Sequence, residues 1–203
     1  AFVEDRFALG SAKMGQLALH SIARLLEVAR PIGLLVVFTR MVPFRNRTEA
    51  GRWYDSCPGV FGDPDDAASR ESAEIPPEIA PSPEEPVIVK SKPSAFFGTP
   101  LHSMLTFHNV DTLLVTGMVT SGCVRATVDD AFSHDYHVVI PEECVADRAE
   151  VPHRVNLFDM EMISADVLPL DQVLRHLSGL DRTVYGSDLH RNTRGTTGTD
   201  VPW

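Results

Sequence analysis

The chain has 203 residues, enough for one domain with a full core and too few for two comfortable ones. It holds no low-complexity block and no apolar run near the ~20 residues that span a bilayer. A formal net charge of −10 and a pI near 5.2 argue against non-specific nucleic-acid binding, which needs a basic face. They leave an anionic substrate open, because local charge decides binding.

The chain opens on "AFVEDRF", with no initiator Met and no secretory signal, and reads as cut into. Residues 14–30 place Leu19, Ile22, Leu26 and Ala29 on one helical face, and Pro31 stops that helix. "IGLLVVFTR", 32–40, is a β-branched and aliphatic run of the kind found in strands buried on both faces. Residues 45–86 are polar and rich in Pro, Gly and Asp, and predict a long excursion with little regular structure. Within it, Trp53, Tyr54 and Phe61 either cover a pocket or only anchor the loop. "PVIVK", 86–90, predicts a short strand. "TPLHSMLTFHN", 99–109, predicts a helix with Leu101, Met104, Leu105 and His108 on one side, Thr99 at its N-cap and Pro100 in its first turn.

"TLLVTG" at 112–117, "YHVVIP" at 136–141 and "ADVLPL" at 165–170 predict further strands. Helices are expected at 123–135, 152–163 and 170–177 between and after them. Alternating strands and helices imply an α/β fold: a three-layer, doubly wound, mostly parallel sheet with helices on both faces. One domain is expected over 1–180, followed by an extended polar tail over 181–203.

Cys57, Cys123 and Cys144 are odd in number and lack framework or zinc-finger spacing, so a reducing cytoplasm is expected and a structural zinc is not. Cys123 falls just past the carboxyl end of a strand, where doubly wound sheets place their sites, and in the first turn of the next helix. Unpaired N–H groups there favour the thiolate, the nucleophilic form, and can hold an oxyanion. Gly122 permits a sharp turn. The other reading makes Cys123 a small buried hydrophobe. Lys90 ends "PVIVK", so it also lies at the sheet's carboxyl edge. It is either a solvated strand-end lysine or an ammonium aimed into the cleft, where it would favour a thiolate.

"VTGMVTSGCVRATVDDAFSHDYHVVIPEECVADR" resembles the signature of the isochorismatase-like cysteine hydrolases. "VIVKSKPSAFFGTPL" is similar to that family's lysine segment, and "PHRVNLFDMEMISADVLPLDQVL" to its C-terminal part. The match runs over about residues 1–178. "SAFFGT", "TSGCVRAT" and "DRAEVPHRVNLFDM" look closest to the N-carbamoylsarcosine amidohydrolase and maleamate amidohydrolase branch.

The resemblance implies an Asp–Lys–Cys triad with Cys123 as nucleophile and Lys90 as the lysine. It implies a non-proline cis peptide at Met118–Val119, with the Val119 and Cys123 N–H groups forming the oxyanion hole. Arg148 matches an arginine that binds the substrate carboxylate, a role suited to a guanidinium; an ion pair with Asp147 or a helix-end carboxylate is the equal alternative. Phe2, Phe96 and Trp53 are candidate pocket walls. The triad's aspartate is expected four residues upstream of Ala1, outside this chain, on a first strand also missing from it; Asp5 lies on the wrong side of Phe2 to serve.

The region after the second family strand, "TRMVPFRNRTEAGRWYD", has no histidine, so no metal is expected, and no cofactor. His20, His108 and His134 read as surface or helix-face residues, and Asp129–Asp130 as a solvated face. The activity implied is hydrolysis of a C–N bond in a small carbamoyl or amide substrate bearing a carboxylate, through a thioester, with release of ammonia. A vinyl-ether hydrolase of the isochorismatase type and a catalytically silent scaffold are the alternatives. The partners implied are a small-molecule amide and further copies of the chain, as a dimer or tetramer, with neither nucleic acid nor membrane.

Overall fold

A computed structural model describes residues 11–41, 44, 46–56, 65 and 67–180. Phe2, Asp5, Cys57, Phe61 and the 181–203 tail lie outside these residues. Helix α1 (Ala12–Ala29) opens with Ser11, whose hydroxyl accepts from the Met14 N–H at 3.3 Å. It buries Ala18, Leu19, Leu25, Leu26 and Ala29 and stops before Pro31.

Strand β1 (Phe38–Met41) pairs in parallel with β2 (Val87–Lys90), matching Met41 with Lys90. The predicted strand over 32–40 is thus shorter than expected. Leu34, Leu35 and Val37 pack against the core without a ladder, because β2 offers only four residues to pair with. Between the two strands lie α2 (Arg47–Ala50), α3 (Arg52–Ser56), α4 (Ala67–Ser72) and a 3-10 turn at Pro77–Ile79. The excursion therefore carries more short helix than its composition suggests. The Arg30 guanidinium grips Glu85 through two bonds of 2.8 Å, tying the end of α1 to the segment that enters β2. That bond, with the Coulombic pull of Arg30, holds the Glu85 carboxyl below its usual range.

Helix α5 (Leu101–Phe107) starts after Pro100, and the Thr99 hydroxyl accepts from the Leu101 N–H at 3.2 Å. The strand expected at 112–117 is split into β3 (Thr112–Leu114) and β4 (Gly117–Met118). Helix α6 (Arg125–Ser133), β5 (His137–Pro141), β6 (Val145–Ala146), α7 (Glu150–Ile163), β7 (Asp166–Leu168) and α8 (Leu170–Ser178) follow. Strand order is β3-β5-β7 in one ladder and β4-β6 in another, and every pairing is parallel.

The fold is α/β with parallel sheets and helices on both sides, as the sequence pattern implies. One core cluster joins Leu101 and Leu105 of α5, Val128 of α6 and Leu157 and Met160 of α7 to Ile88, Val138 and Ile140. The other joins Leu25 of α1 and Leu170, Val173 and Leu177 of α8 to Ile32 and Cys144. Among the described residues no ladder joins β1 to β3, and no helix is long and apolar enough to cross a membrane.

Candidate active site

The site lies at the carboxyl ends of β2, β4 and β6. Past β4 the chain makes a π-helical turn, Thr120–Val124, before α6 begins. Cys123 therefore sits one turn earlier than the α-helical first turn expected from the sequence. π-turns inside helices recur at functional sites because they displace one residue from the regular ladder. Gly117 enters with φ of +110°, a conformation other residues rarely adopt, and the Met118–Val119 peptide is cis. The buried Val119 carbonyl accepts from both the Gly122 N–H at 3.0 Å and the Val124 N–H at 3.2 Å, with Cys123 between those donors. A Cβ at Gly122 would come within 3.0 Å of the Val119 side chain, so the turn closes tightly there.

Cys123 is half-buried, in contrast to Cys144, which is fully buried. Burial, with Glu143 nearby, pushes the Cys144 thiol up to about 12, which keeps it protonated and inert. Of these two described thiols, Cys123 is the one partly open to solvent.

Lys90 is buried, not the solvated strand-end residue of the bland reading. Its Nζ donates to the Lys92 carbonyl at 3.0 Å and the Pro93 carbonyl at 2.7 Å. An ammonium has three donors, so one remains without a protein acceptor among the described residues. The same loop reaches the cysteine's helix through one side chain. The Ala95 N–H donates to the Thr127 hydroxyl at 3.0 Å, and that hydroxyl donates to the Cys123 carbonyl at 2.7 Å. Lys92 turns the other way and donates to the Ala50 carbonyl at 2.9 Å, docking α2 on the loop.

Arg148 follows β6. Its Nη1 donates to Asp147 and to the Ser121 hydroxyl, each at 3.2 Å. The ion pair with Asp147 offered by the sequence thus forms, and the guanidinium also touches the turn that holds Cys123. Asp147 is fully buried, accepting the Ser121 N–H at 2.6 Å and the Arg148 N–H at 2.8 Å. On α7, His153 Nδ1 meets the buried Thr120 hydroxyl at 2.9 Å. Burial holds the His153 imidazole below its usual value, against the opposing pull of Asp147 and Glu142.

Of the candidate walls, Phe96 is buried in the core with its ring against Tyr136 and His134, and Trp53 is half-buried on α3. His20 and His134 are exposed and His108 half-buried; exposed Asp129 stands 3.6 Å from Arg125. The sequence reading missed Thr127, His153 and the anchoring role of Asp147. A visible signal existed for Asp147, an acid closing a strand-like "CVA" run beside an arginine. Thr127 and His153 carry none, since their contacts depend on how α6 and α7 rotate.

The Isochorismatase domain matches residues 3–172, and the chain belongs to the isochorismatase family. N-carbamoylsarcosine amidase of an Arthrobacter species is 37% identical over 166 residues, covering 79% of this chain and 61% of that protein. This chain therefore spans less than two thirds of that relative's length. Maleamate amidohydrolase of Pseudomonas putida is 37% identical over 167 residues, covering 80% of this chain and 76% of its own. The crystal structure of N-carbamoylsarcosine amidase from Thermoplasma acidophilum superposes with a TM-score of 0.66 at 25% identity, over 79% of this chain and 87% of that one. The branch read from the sequence is the branch these relatives represent.

Proposed function

We propose that this protein is a cysteine-dependent amidohydrolase that cleaves the C–N bond of a small carbamoyl or amide compound carrying a carboxylate. The observation that carries the reading is the shared turn. The half-exposed Cys123 thiol stands two residues from Ser121, whose hydroxyl holds the Arg148 guanidinium at 3.2 Å. A nucleophile and an anion-binding cation are thereby fixed to one short piece of backbone.

The Cys123 thiolate attacks the substrate carbonyl, forming a C–S bond, and the carbonyl oxygen becomes an oxyanion held by the Val119 and Cys123 N–H groups. The C–N bond then breaks and ammonia leaves with a proton. Water cleaves the thioester and restores the thiol. Lys90 supplies positive charge beside the sulfur through its unpaired donor, and Arg148 holds the substrate carboxylate with the guanidinium nitrogens not engaged by Asp147. The proton carrier in this scheme is the triad aspartate that the family resemblance implies. A free catalytic thiol suits a reducing cytoplasm, and we place the enzyme there.

The test is ammonia release from N-carbamoylsarcosine and maleamate by the full-length protein and its Cys123→Ala variant. Turnover of either compound by the wild type, falling at least ~10³-fold in the variant, is expected for loss of a covalent nucleophile. Unchanged turnover in the variant overturns the thioester route. A protein that turns over neither compound, and whose Cys123 is not alkylated rapidly near neutral pH, is a silent scaffold instead.

A further inference from the structure

Four rings meet from three separate parts of the chain. Phe96 comes from the loop after β2, His102 from the first turn of α5, and His134 and Tyr136 from the turn that joins α6 to β5. The His102 and His134 imidazoles are stacked, with centroids 4.4 Å apart and planes 20° from parallel. The Phe96 ring lies 5.3 Å from His134 and 5.9 Å from Tyr136, and His102 meets Tyr136 edge-on at 5.9 Å. The Tyr136 hydroxyl is 3.0 Å from His102 Nδ1. Phe96 and Tyr136 are buried, whereas both histidines are exposed. A proton from solvent can therefore reach a joint whose inner half is sealed.

We propose that this stack is an acid-sensitive clasp on the loop that carries the lysine: it holds residues 91–100 against the end of α6 while at most one imidazole is charged, and releases them when both are. Histidine is the side chain that ordinarily changes charge between about pH 5 and 8. One proton suits the stack, because a cation over an aromatic face is attracted to it. Its place is His134. That residue caps the carboxyl end of α6, where its backbone N–H donates to the Asp130 and Ala131 carbonyls and the helix dipole favours a cation. Asp130 also lies one turn earlier on the same helix face. A second proton has no such place. It sets like charges 4.4 Å apart. It also makes His102 Nδ1 a donor, so the buried Tyr136 hydroxyl must accept and its own hydrogen loses that acceptor. The other titratable groups on these elements are Lys92 in the loop, His108 at the end of α5, Arg125, Asp129 and Asp135 on or after α6, and His137 in β5. Lys92 is engaged by the Ala50 carbonyl and Arg125 by Asp159, and among the described residues no carboxylate pairs with either stacked imidazole. The loop so released is the one that runs on from Lys90, and Phe96 is its apolar hold on the end of α6. The inference concerns the joint itself and stands whatever the substrate is.

Amide hydrogen exchange of the full chain at about pH 7.5 and about pH 5, each corrected for intrinsic rates, tests it. In the wild type the amides of Phe96, Phe97 and Gly98 are expected to lose protection by about tenfold or more at the lower pH, while those of α1 and α7 keep theirs. His134→Phe keeps a ring in the stack that cannot charge, and His102→Gln keeps an acceptor for Tyr136 that cannot charge. Each is expected to bring the change in the loop within about twofold. The two variants alter different elements, so a fold lost in one leaves the other as the control. Equal protection of the wild-type loop at both pH values overturns the proposal. A response that persists in either folded variant overturns it too, and places the titrating group elsewhere. An equal loss of protection in α1 and α7 shows that acid loosens the whole fold, and likewise overturns the clasp.

Discussion

The turn that carries the thiol and the loop that carries the lysine are secured in different ways. Thr120–Val124 is gripped from a distance in sequence: Asp147 takes the Ser121 N–H, Arg148 takes its hydroxyl, and His153 takes the Thr120 hydroxyl. All three donors or acceptors come from the segment between β6 and the first turns of α7. The lysine loop is secured locally, with Lys90 turned back on the carbonyls of Lys92 and Pro93. Its hydrogen-bonded tie to the cysteine's helix, among the described residues, runs through the hydroxyl of Thr127. The thiol therefore depends on a charged, long-range network, and the ammonium on short-range geometry plus one neutral bridge. Damage to the two should differ in size and in kind.

The largest effect is expected at Asp147. Its carboxylate accepts two backbone N–H groups and pairs with Arg148, and charge-assisted hydrogen bonds contribute about 1.5–3 kcal/mol each. Asp147→Ala should lower unfolding free energy by about 3 kcal/mol or more and reduce kcat as the turn loosens. Asp147→Asn keeps one acceptor and should recover only part of either loss. Chemical denaturation and steady-state kinetics on the same samples check this. Full recovery by Asn would show that shape, and not charge, holds the turn.

A smaller effect is expected at Thr127. Thr127→Val keeps the volume and removes the bridge, leaving the Ala95 N–H and the Cys123 carbonyl without their partner. The cost to stability is about 1–2 kcal/mol. If the proposed mechanism holds, the hydroxyl aligns lysine and thiol without touching substrate, and kcat should fall several-fold with KM little changed. Thr127→Ser, which restores the hydroxyl, should restore kcat. A fall in Tm without that kinetic split would mean that the bridge serves stability alone.

The same contrast explains what the sequence discloses. The end of β2 and its lysine are legible because a run of buried-strand residues stops at a charge. The thiol is legible because a glycine-rich turn separates an aliphatic run from a helix. Local patterns of this sort establish where the chain changes direction, and with them the α/β class and the positions of Lys90, Cys123 and Arg148 along strand ends. They do not establish how elements meet. The split of 112–118 into β3 and β4 depends on which parts of β5 and β6 lie opposite. The π-turn depends on the Val119 carbonyl collecting two donors. The shortened β1 depends on the length of β2. The excursion misleads for a related reason: proline and glycine mark where regular structure breaks, and say little of four-residue helices between the breaks.

The smallest effect is expected at His153, and its sign follows from burial. The folded imidazole is held below its usual value by desolvation, so the unfolded chain binds the proton more readily. Stability contributed by the neutral ring is complete above the unfolded value near 6.5. It declines as pH falls from there through the lower folded value. Protonation leaves both ring nitrogens as donors, so Nδ1 can only donate and the Thr120 hydroxyl must accept. Asp147 and Glu142 limit the penalty by attracting the cation, which keeps the expected difference small. His153→Gln retains a polar contact for Thr120 and cannot titrate. Its stability should therefore be flatter than that of the wild type as pH falls below about 6.5, with the two curves converging in shape above pH 7. Parallel curves throughout that window would mean that His153 holds Thr120 equally well in both charge states, leaving Asp147 as the group that ties the thiol's turn to β6.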